Sequence, residues 1–346
     1  MLTHKPKIIL YILSFQNIEV GMLAIQVIGD EERTLAWQRV PDPTCGSEEV
    51  LVDVCATALN RADLFQRAGK YPPPSAASDI LGLEIAGKVS VLGDKVGDWE
   101  LGDRVCALLP GGGYAERVAV PTEMLMPIPK DWSYEQAASL PECFLTVFTN
   151  VYMEAGLQSG ETILVHGGAS GVGTAAIQLA SITGNPIFVT AGSSEKVNAC
   201  KQLGADLAIN YRKHDFGDKV LSYTNGKGVD VIMDIVAGSY MERNIQLLKS
   251  KGRLVVISTL GGVRTEIDLS VLMRRRARII GSVLRSRSVS EKIEIKQRFM
   301  DYFWPHVLEG RIMPVIDSIY PISQAMLAHQ HMKENRNIGK IVLKIQ

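Results

Sequence analysis

The sequence predicts an α/β protein of two parts, a β-rich domain and a doubly wound parallel sheet that binds a nucleotide. Three observations carry that prediction. Short apolar runs bounded by Gly, Pro and Asp fill residues 22–120. From Gly160 onward apolar runs alternate with amphipathic stretches. A glycine-rich turn then separates the first such run from the first such stretch. The 346 residues allow two cores, since domains commonly run to about 150 residues. Hydrophobic residues at 46% and charged residues at 21% are proportions of a globular chain, which excludes a disordered one.

Residues 1–21 stand apart. Lys5 and Lys7 precede an apolar run over residues 8–15 that is too short to span a bilayer and lacks a small-residue cleavage site. The expectation is an N-terminal extension before a domain that begins near Met22, with a targeting segment as the rival reading. In the domain itself, Val50-Leu51-Val52-Asp53-Val54 and the run over residues 85–93 read as strands. Gly102-Asp103-Arg104-Val105 reads as a turn entering another strand, and Gly111-Gly112-Gly113 as a loop.

After Pro121 the period lengthens, and residues 134–152 carry apolar side chains at helical spacing. Five apolar runs follow: Ile163-Leu164-Val165-His166, Ile187-Phe188-Val189-Thr190, Leu207-Ala208-Ile209, Val229-Asp230-Val231-Ile232-Met233 and Leu254-Val255-Val256-Ile257. Strand and helix in turn imply a parallel sheet covered on both faces. Beyond Ser286 helical segments lead to a closing strand over residues 339–345.

Charge and cysteine usage narrow the function. Thirty-seven basic residues balance thirty-seven acidic ones, so no global field would hold a nucleic acid or an anionic membrane. The one dense basic run, Arg274-Arg275-Arg276-Ala277-Arg278, reads as a solvated helix end in preference to a nucleic-acid patch. Five scattered cysteines without a CxxC pair suit reduced thiols in the cytoplasm.

The strongest motif is Gly167-Gly168-Ala169-Ser170-Gly171-Val172-Gly173, directly after one apolar run and directly before Thr174-Ala175-Ala176-Ile177. A pyrophosphate needs close backbone approach, free amides and a helix N-terminus; glycines between strand and helix supply all three. Ser170, Gly171, Val172 and Gly173 are therefore the expected phosphate turn. NAD enzymes usually carry an acid about twenty residues further on, for the ribose hydroxyls. Here Gly192 and Ser193 hold that place, with Lys196 one turn later. A 2′-phosphate would be repelled by a carboxylate and held by an ammonium and small donors. The reading is NADPH, with Tyr211 adding to the same pocket. Glu195 reads as a helix-start acid, and Lys196 also has the reading of a solvated helix lysine.

The order of the parts resembles the medium-chain dehydrogenase/reductase superfamily over residues 22–346. Within it the chain is similar to the zinc-free quinone oxidoreductase branch that includes zeta-crystallin, and most of all to the tumour-suppressor-inducible quinone oxidoreductases. The likeness rests on Ala58-Leu59-Asn60-Arg61-Ala62-Asp63-Leu64, Tyr71-Pro72-Pro73-Pro74, Leu81-Gly82-Leu83-Glu84, Leu109-Pro110-Gly111-Gly112-Gly113, Ser170-Gly171-Val172-Gly173, Leu284-Arg285-Ser286-Arg287 and Asn337-Ile338-Gly339-Lys340-Ile341-Val342-Leu343. It implies a GroES-like substrate domain over residues 22–144 and 287–346, with a Rossmann NADPH-binding domain over 145–286 between them. It also implies a homodimer paired through residues 279–284. Zinc relatives place a cysteine where Asn60 stands and a histidine where Leu83 stands, so no metal is expected, and Cys143, near the third ligand position, reads as a core or pocket-wall thiol. Asn60 and Tyr71 are the expected catalytic residues beside the nicotinamide, and Phe65, a tyrosine in some relatives, leaves a more apolar pocket. The implied reaction is zinc-independent reduction of quinones by NADPH. Reduction of enones or enoyl thioesters is one alternative, and a non-catalytic, crystallin-like NADPH-binding protein is another.

Overall fold

The computed structural model describes residues 21–75 and 77–345; the readings made for residues 1–20 lie outside these. The N-terminal part contains β1 (Met22–Val27), β2 (Leu35–Val40), β3 (Glu49–Ala58), α1 (Arg61–Arg67), β4 (Glu84–Leu92), β5 (Arg104–Leu108), β6 (Arg117–Pro121) and β7 (Leu125–Pro127). Helices α2 (Tyr134–Ala138) and α3 (Pro141–Val147) lead to the alternating region. That region contains β8 (Ile163–His166), α4 (Gly171–Thr183), β9 (Ile187–Ala191), α5 (Ser194–Gln202), β10 (Leu207–Asn210), α6 (Phe216–Tyr223), β11 (Val229–Asp234), α7 (Met241–Leu247), β12 (Leu248–Val256), α8 (Leu269–Arg275) and β13 (Arg278–Gly281). The chain closes with α9 (Val289–Leu308), β14 (Ile316–Pro321), α10 (Ala325–Lys333) and β15 (Lys340–Lys344).

Strands β8 to β13 form one parallel sheet in the order β10-β9-β8-β11-β12-β13. The order reverses between β8 and β11, and a nucleotide binds in the crevice that such a switch point opens at the carboxyl ends of the strands. Both faces of the sheet are buried, which is why its strands read as continuous apolar runs. Ile163 and Val165 join the core shared with the β-rich domain, while Leu164 joins the core on the other face; Val231 and Ile232 divide the same way.

The second sheet takes strands from both ends of the chain, in the order β14-β15-β3-β4-β5-β7, with β6 on β3. Its pairs are antiparallel except β14–β15. β1 and β2 form a separate ribbon, tied to the sheet where the Ile25 N–H donates to the Tyr114 carbonyl at 2.8 Å. The domain is GroES-like, and strand β15 from the C-terminus carries a charged residue into its centre.

Residues 134–152 are helical, but not as one helix. Ser133 caps α2, whose C-terminal Ser139 hydroxyl donates back to Glu135 at 2.8 Å. Pro141 then opens α3 at its first position, where a missing N–H costs nothing and prevents continuation of α2. Past Val147 the turn widens into a π-helix, Phe148–Glu154. Thr149 and Asn150 side chains take the carbonyls of Leu145 and Thr146 at 2.7 Å. Among the described residues no helix is long and apolar enough to cross a membrane.

Candidate active site

The cofactor crevice is built first by α4. Ser170 caps the helix: its hydroxyl accepts from the Gly173 N–H at 3.0 Å and donates to the Gly167 carbonyl at 2.7 Å. A Cβ on Gly173 would collide with the Gly167 carbonyl oxygen, so only glycine lets the helix start this close to β8. Gly171 and Val172 form the rest of that first turn, with amide groups free of intrahelical partners. Opposite, the Asp234 carboxylate accepts from the Val236 and Ala237 N–H groups at 2.6 and 3.1 Å. It holds Ala237 at φ 58°, a left-handed conformation that costs about 1–3 kcal/mol outside glycine.

The far end of the crevice gathers the four residues expected there. A Cβ on Gly192 would lie 2.8 Å from the Tyr211 hydroxyl, so glycine makes room for that phenol. Ser193 caps α5, accepting from the Lys196 N–H at 3.2 Å. The Lys196 ammonium donates to the Asn335 carbonyl at 2.6 Å, across the crevice from the β-rich domain. Burial lowers its pKa, opposed by Asp317. An ammonium has three donors, so one protein contact leaves two for a ligand. Glu195 lies in the first turn of α5, the end of the helix that favours an acid.

Asn60 sits in a buried charged network that sequence reasoning did not assemble. Lys340, on β15, donates to Asn60 Oδ1 at 2.7 Å, Glu84 Oε1 at 2.7 Å and the Leu59 carbonyl at 2.8 Å. The pair Lys340–Glu84 is 4% and 0% exposed. Burial is the largest single influence and would lower the Lys340 pKa, but Glu84, Cys143 and Glu142 together turn the net shift upward. Asn60 Nδ2 donates to Glu84 Oε1 at 2.8 Å and to the Ala58 carbonyl at 3.3 Å. Both amide hydrogens are thereby engaged, so Asn60 presents no free donor to the crevice. The second Glu84 oxygen accepts from the Glu142 N–H at 2.8 Å. The Lys340 stem packs where a Cβ on Gly171 would lie, 2.5 Å from Cδ, which joins this network to the phosphate turn.

These residues do not fit a zinc ion. Leu83 is a buried hydrocarbon, the Asn60 amide is occupied, and an ammonium lies among the donors. The Cys143 thiol is buried and donates to the Ser139 carbonyl at 3.1 Å, and burial pushes its pKa up to about 12. Among the described residues no group of three or more His, Cys, Asp or Glu side chains is placed to hold a metal.

Tyr71 lies in a segment without regular structure after α1, and Arg285 stacks on its ring with Cζ 5.3 Å from the centroid. Burial raises the Tyr71 pKa, opposed by Arg285. Glu142 contributes a carboxyl that burial, reinforced by Glu84, pushes up to about 8. It is a half-buried side chain, so the charge of Glu84 must share the credit with desolvation. Phe65 is likewise half-buried. Sequence reasoning assigned no role to Glu84, Glu142, Arg285 or Lys340. Glu84, Arg285 and Lys340 do stand inside the motifs that carry the family likeness. Two surface hollows, about 400 Å³ beside Lys201 and Lys213 and about 450 Å³ beside Gln246 and Arg274, include neither Asn60 nor Tyr71.

Comparison with known proteins agrees with this architecture. Residues 46–130 match the alcohol dehydrogenase GroES-like domain and residues 171–298 match the zinc-binding dehydrogenase family. The quinone oxidoreductase of Rattus norvegicus is 32% identical over 326 residues, covering 93% of this chain and 97% of that protein. The solved quinone oxidoreductase of Pseudomonas syringae pv. Tomato DC3000 superposes with a TM-score of 0.82 at 28% identity, over 94% of this chain and all of that one. The CurK enoyl reductase superposes with a TM-score of 0.84 at 28% identity and the same coverage. A GroES-like domain closed by both chain ends, a Rossmann sheet between them and this likeness over nearly the whole chain have one reading: the chain belongs to the medium-chain dehydrogenase/reductase family, in its quinone oxidoreductase branch.

Proposed function

We propose that the protein is an NADPH-dependent quinone oxidoreductase that reduces quinones without a metal. The observation that carries the reading is Lys340, an ammonium that satisfies Glu84 and Asn60 where zinc relatives gather metal ligands. Without a Lewis acid, charge developing on an acceptor oxygen must be met by hydrogen bonds, which suits easily reduced, conjugated carbonyls. NADPH supplies the hydride when bound. The chain's residues do the rest. The α4 N-terminus at Ser170, Gly171, Val172 and Gly173 receives the pyrophosphate, and Gly192, Ser193, Lys196 and Tyr211 receive the 2′-phosphate. Asn60, fixed by Lys340, forms the rigid wall behind the nicotinamide, and the Tyr71 phenol donates to the acceptor oxygen. The proposal includes a cytoplasmic site of action and a homodimer paired through β13.

Likeness to the CurK enoyl reductase favours one second reading, reduction of an enone or enoyl thioester. A non-catalytic NADPH-binding role is the reading from outside enzymology. One measurement separates all three: NADPH oxidation with ortho-quinones, para-quinones, enones and enoyl thioesters, alongside direct NADPH titration. Turnover concentrated on quinones is expected. Turnover confined to double-bond substrates would replace the proposal with the second reading, and binding without any turnover would replace it with the third.

A further inference from the structure

With Asn60 committed to Lys340 and Glu84, Tyr71 is the one expected donor left for the acceptor oxygen, and the geometry points to Arg285 as a second group that binds and stabilises it. This rests on the reading of the protein as a reductase of conjugated carbonyls. Arg285 follows β13, where the chain leaves the nucleotide-binding sheet. Its guanidinium is anchored twice: Nε donates to the Pro110 carbonyl at 2.8 Å and Nη2 to Gln66 Oε1 at 2.7 Å. The buried Lys292 ammonium donates to the Arg285 backbone carbonyl at 2.6 Å. Nη1 is different. It is shut off from water and has no hydrogen-bond partner among the described residues. Arg285 is 5% exposed, and among the described residues the only ring stacked on it is that of Tyr71.

A dry guanidinium N–H with no acceptor carries the full penalty of its lost hydration, which an arriving oxygen would cancel. The two anchors fix the plane of the group, so the free N–H is preorganised for that oxygen. Tyr71 stands in a segment without regular structure, and its ring must move off the guanidinium for the acceptor oxygen to reach Nη1. The ligand class is a neutral conjugated carbonyl that becomes an oxyanion on reduction. Hydride adds to the acceptor, one carbon–oxygen π pair moves onto oxygen, and Arg285 receives that charge until a proton from solvent neutralises it. Arg285 keeps its own proton throughout.

The test uses the full chain with a series of para-quinones that spans hydroquinone acidity. Arg285→Gln removes the charge and the fork. Gln66→Met removes only one anchor and leaves Nη1 in place. Wild type should show a shallow dependence of kcat/KM on hydroquinone acidity. Arg285→Gln should lose several-fold with the most acidic product and about a hundredfold with the least, while NADPH affinity holds. Guanidinium ion in the buffer should restore part of the loss. The anion of 4-nitrophenol, used as a product-like probe with NADP present, should bind at least tenfold more weakly to Arg285→Gln than to wild type. Gln66→Met, which loosens the guanidinium but leaves its charge, should lose at most a few-fold and by the same factor for every quinone. A loss that is uniform across the series, matched by Gln66→Met and not rescued, would make Arg285 a structural residue and overturn the inference. Wild-type slopes in Arg285→Gln would overturn it too. If wild type reduces enones and no quinone, the quinone assignment fails separately, and the same variants on an enone series decide the role of Arg285.

Discussion

Lys340 shows how one side chain can set the chemistry around it. Its three donors meet three acceptors within 2.8 Å, so the cost of burying an ammonium is offset by geometry and not by solvent. Lys340→Met would leave the Glu84 carboxylate buried without its counter-ion. The expected loss is about 3–5 kcal/mol of stability, and Glu84→Gln added to it should recover part. Urea unfolding of both variants checks this; a single variant as stable as wild type would mean that the pair is dispensable. A second buried group makes stability depend on pH. Burial, with Arg67 nearby, holds His329 down to about 3 from its ordinary 6.5. Between those values the unfolded chain binds a proton that the folded chain refuses, so this contribution is present above pH 6.5 and lost as pH falls toward 3. Asp63, pushed by burial up to about 6 from 3.8, works in the opposite sense between 3.8 and 6, because there the folded chain binds more protons. The two meet through the Tyr114 hydroxyl, 3.2 Å from His329 Nε2 and 3.4 Å from Asp63. His329→Gln should therefore flatten the loss of stability between pH 6.5 and 4. Unfolding midpoints that fall equally in both proteins would rule out His329 as the source.

Elements place these residues more than propensity does. The pocket proposed for the 2′-phosphate is assembled by the end of β9, the cap of α5 and the end of β10, which lie side by side because β9 and β10 are parallel neighbours. Gly192 and Tyr211 meet there although nineteen positions separate them. Lys196→Ala removes one charged donor from that pocket. Because a charge-assisted contact is worth roughly 1.5–3 kcal/mol and this ammonium is partly solvated, NADPH binding should weaken roughly tenfold, with NADH hardly affected. Calorimetric titration of both nucleotides decides it, and equal losses would return Lys196 to the role of a surface lysine holding Asn335. The same scale explains which elements were legible. The runs read as β8, β9, β10 and β11 appear at those places because strands buried on both faces are continuously apolar. β14 was not foreseen: its residues alternate between half-buried and exposed, and it is held by parallel pairing with β15. β12 starts at Leu248, earlier than its apolar run, through polar residues that include Lys251 at φ 63°. The basic run foreseen as a solvated helix end spans the close of α8 and the start of β13; Arg274, Arg276 and Arg278 are exposed and Arg275 is half-buried, with Arg276 in the left-handed cap at φ 51°.

For the whole molecule, the open question is the edge of the parallel sheet. β13 pairs only with β12, and its other edge carries no strand among the described residues. Ile279 is 37% exposed and Val283 48%. Unpaired backbone beside exposed apolar side chains marks a surface for strand pairing, and the proposed partner is a second copy of the chain. Ile279→Lys should convert the dimer to a folded monomer in sedimentation velocity. A wild-type protein that sediments as a monomer at micromolar concentration would end the dimer proposal.

The sequence by itself determined the α/β class, the alternation that makes a parallel sheet, the glycine turn between β8 and α4, and the family. Each of these is a local pattern: periodicity, a glycine where backbone must approach backbone, or a motif of a few adjacent residues. The charged centre was not readable that way. Asn60, Glu84, Glu142 and Lys340 come from four separate segments, and Lys340 reaches Asn60 from 280 positions away. Only the sheet that draws β15 beside β3 puts an ammonium against that amide, whose two hydrogens Glu84 and the Ala58 carbonyl take up. Likewise Arg285 is one arginine among several in the sequence, and only burial without an acceptor singles out its Nη1. Hydrogen-bond capacity is spent in three dimensions, so the tertiary structure alone decides which donors are left for a substrate.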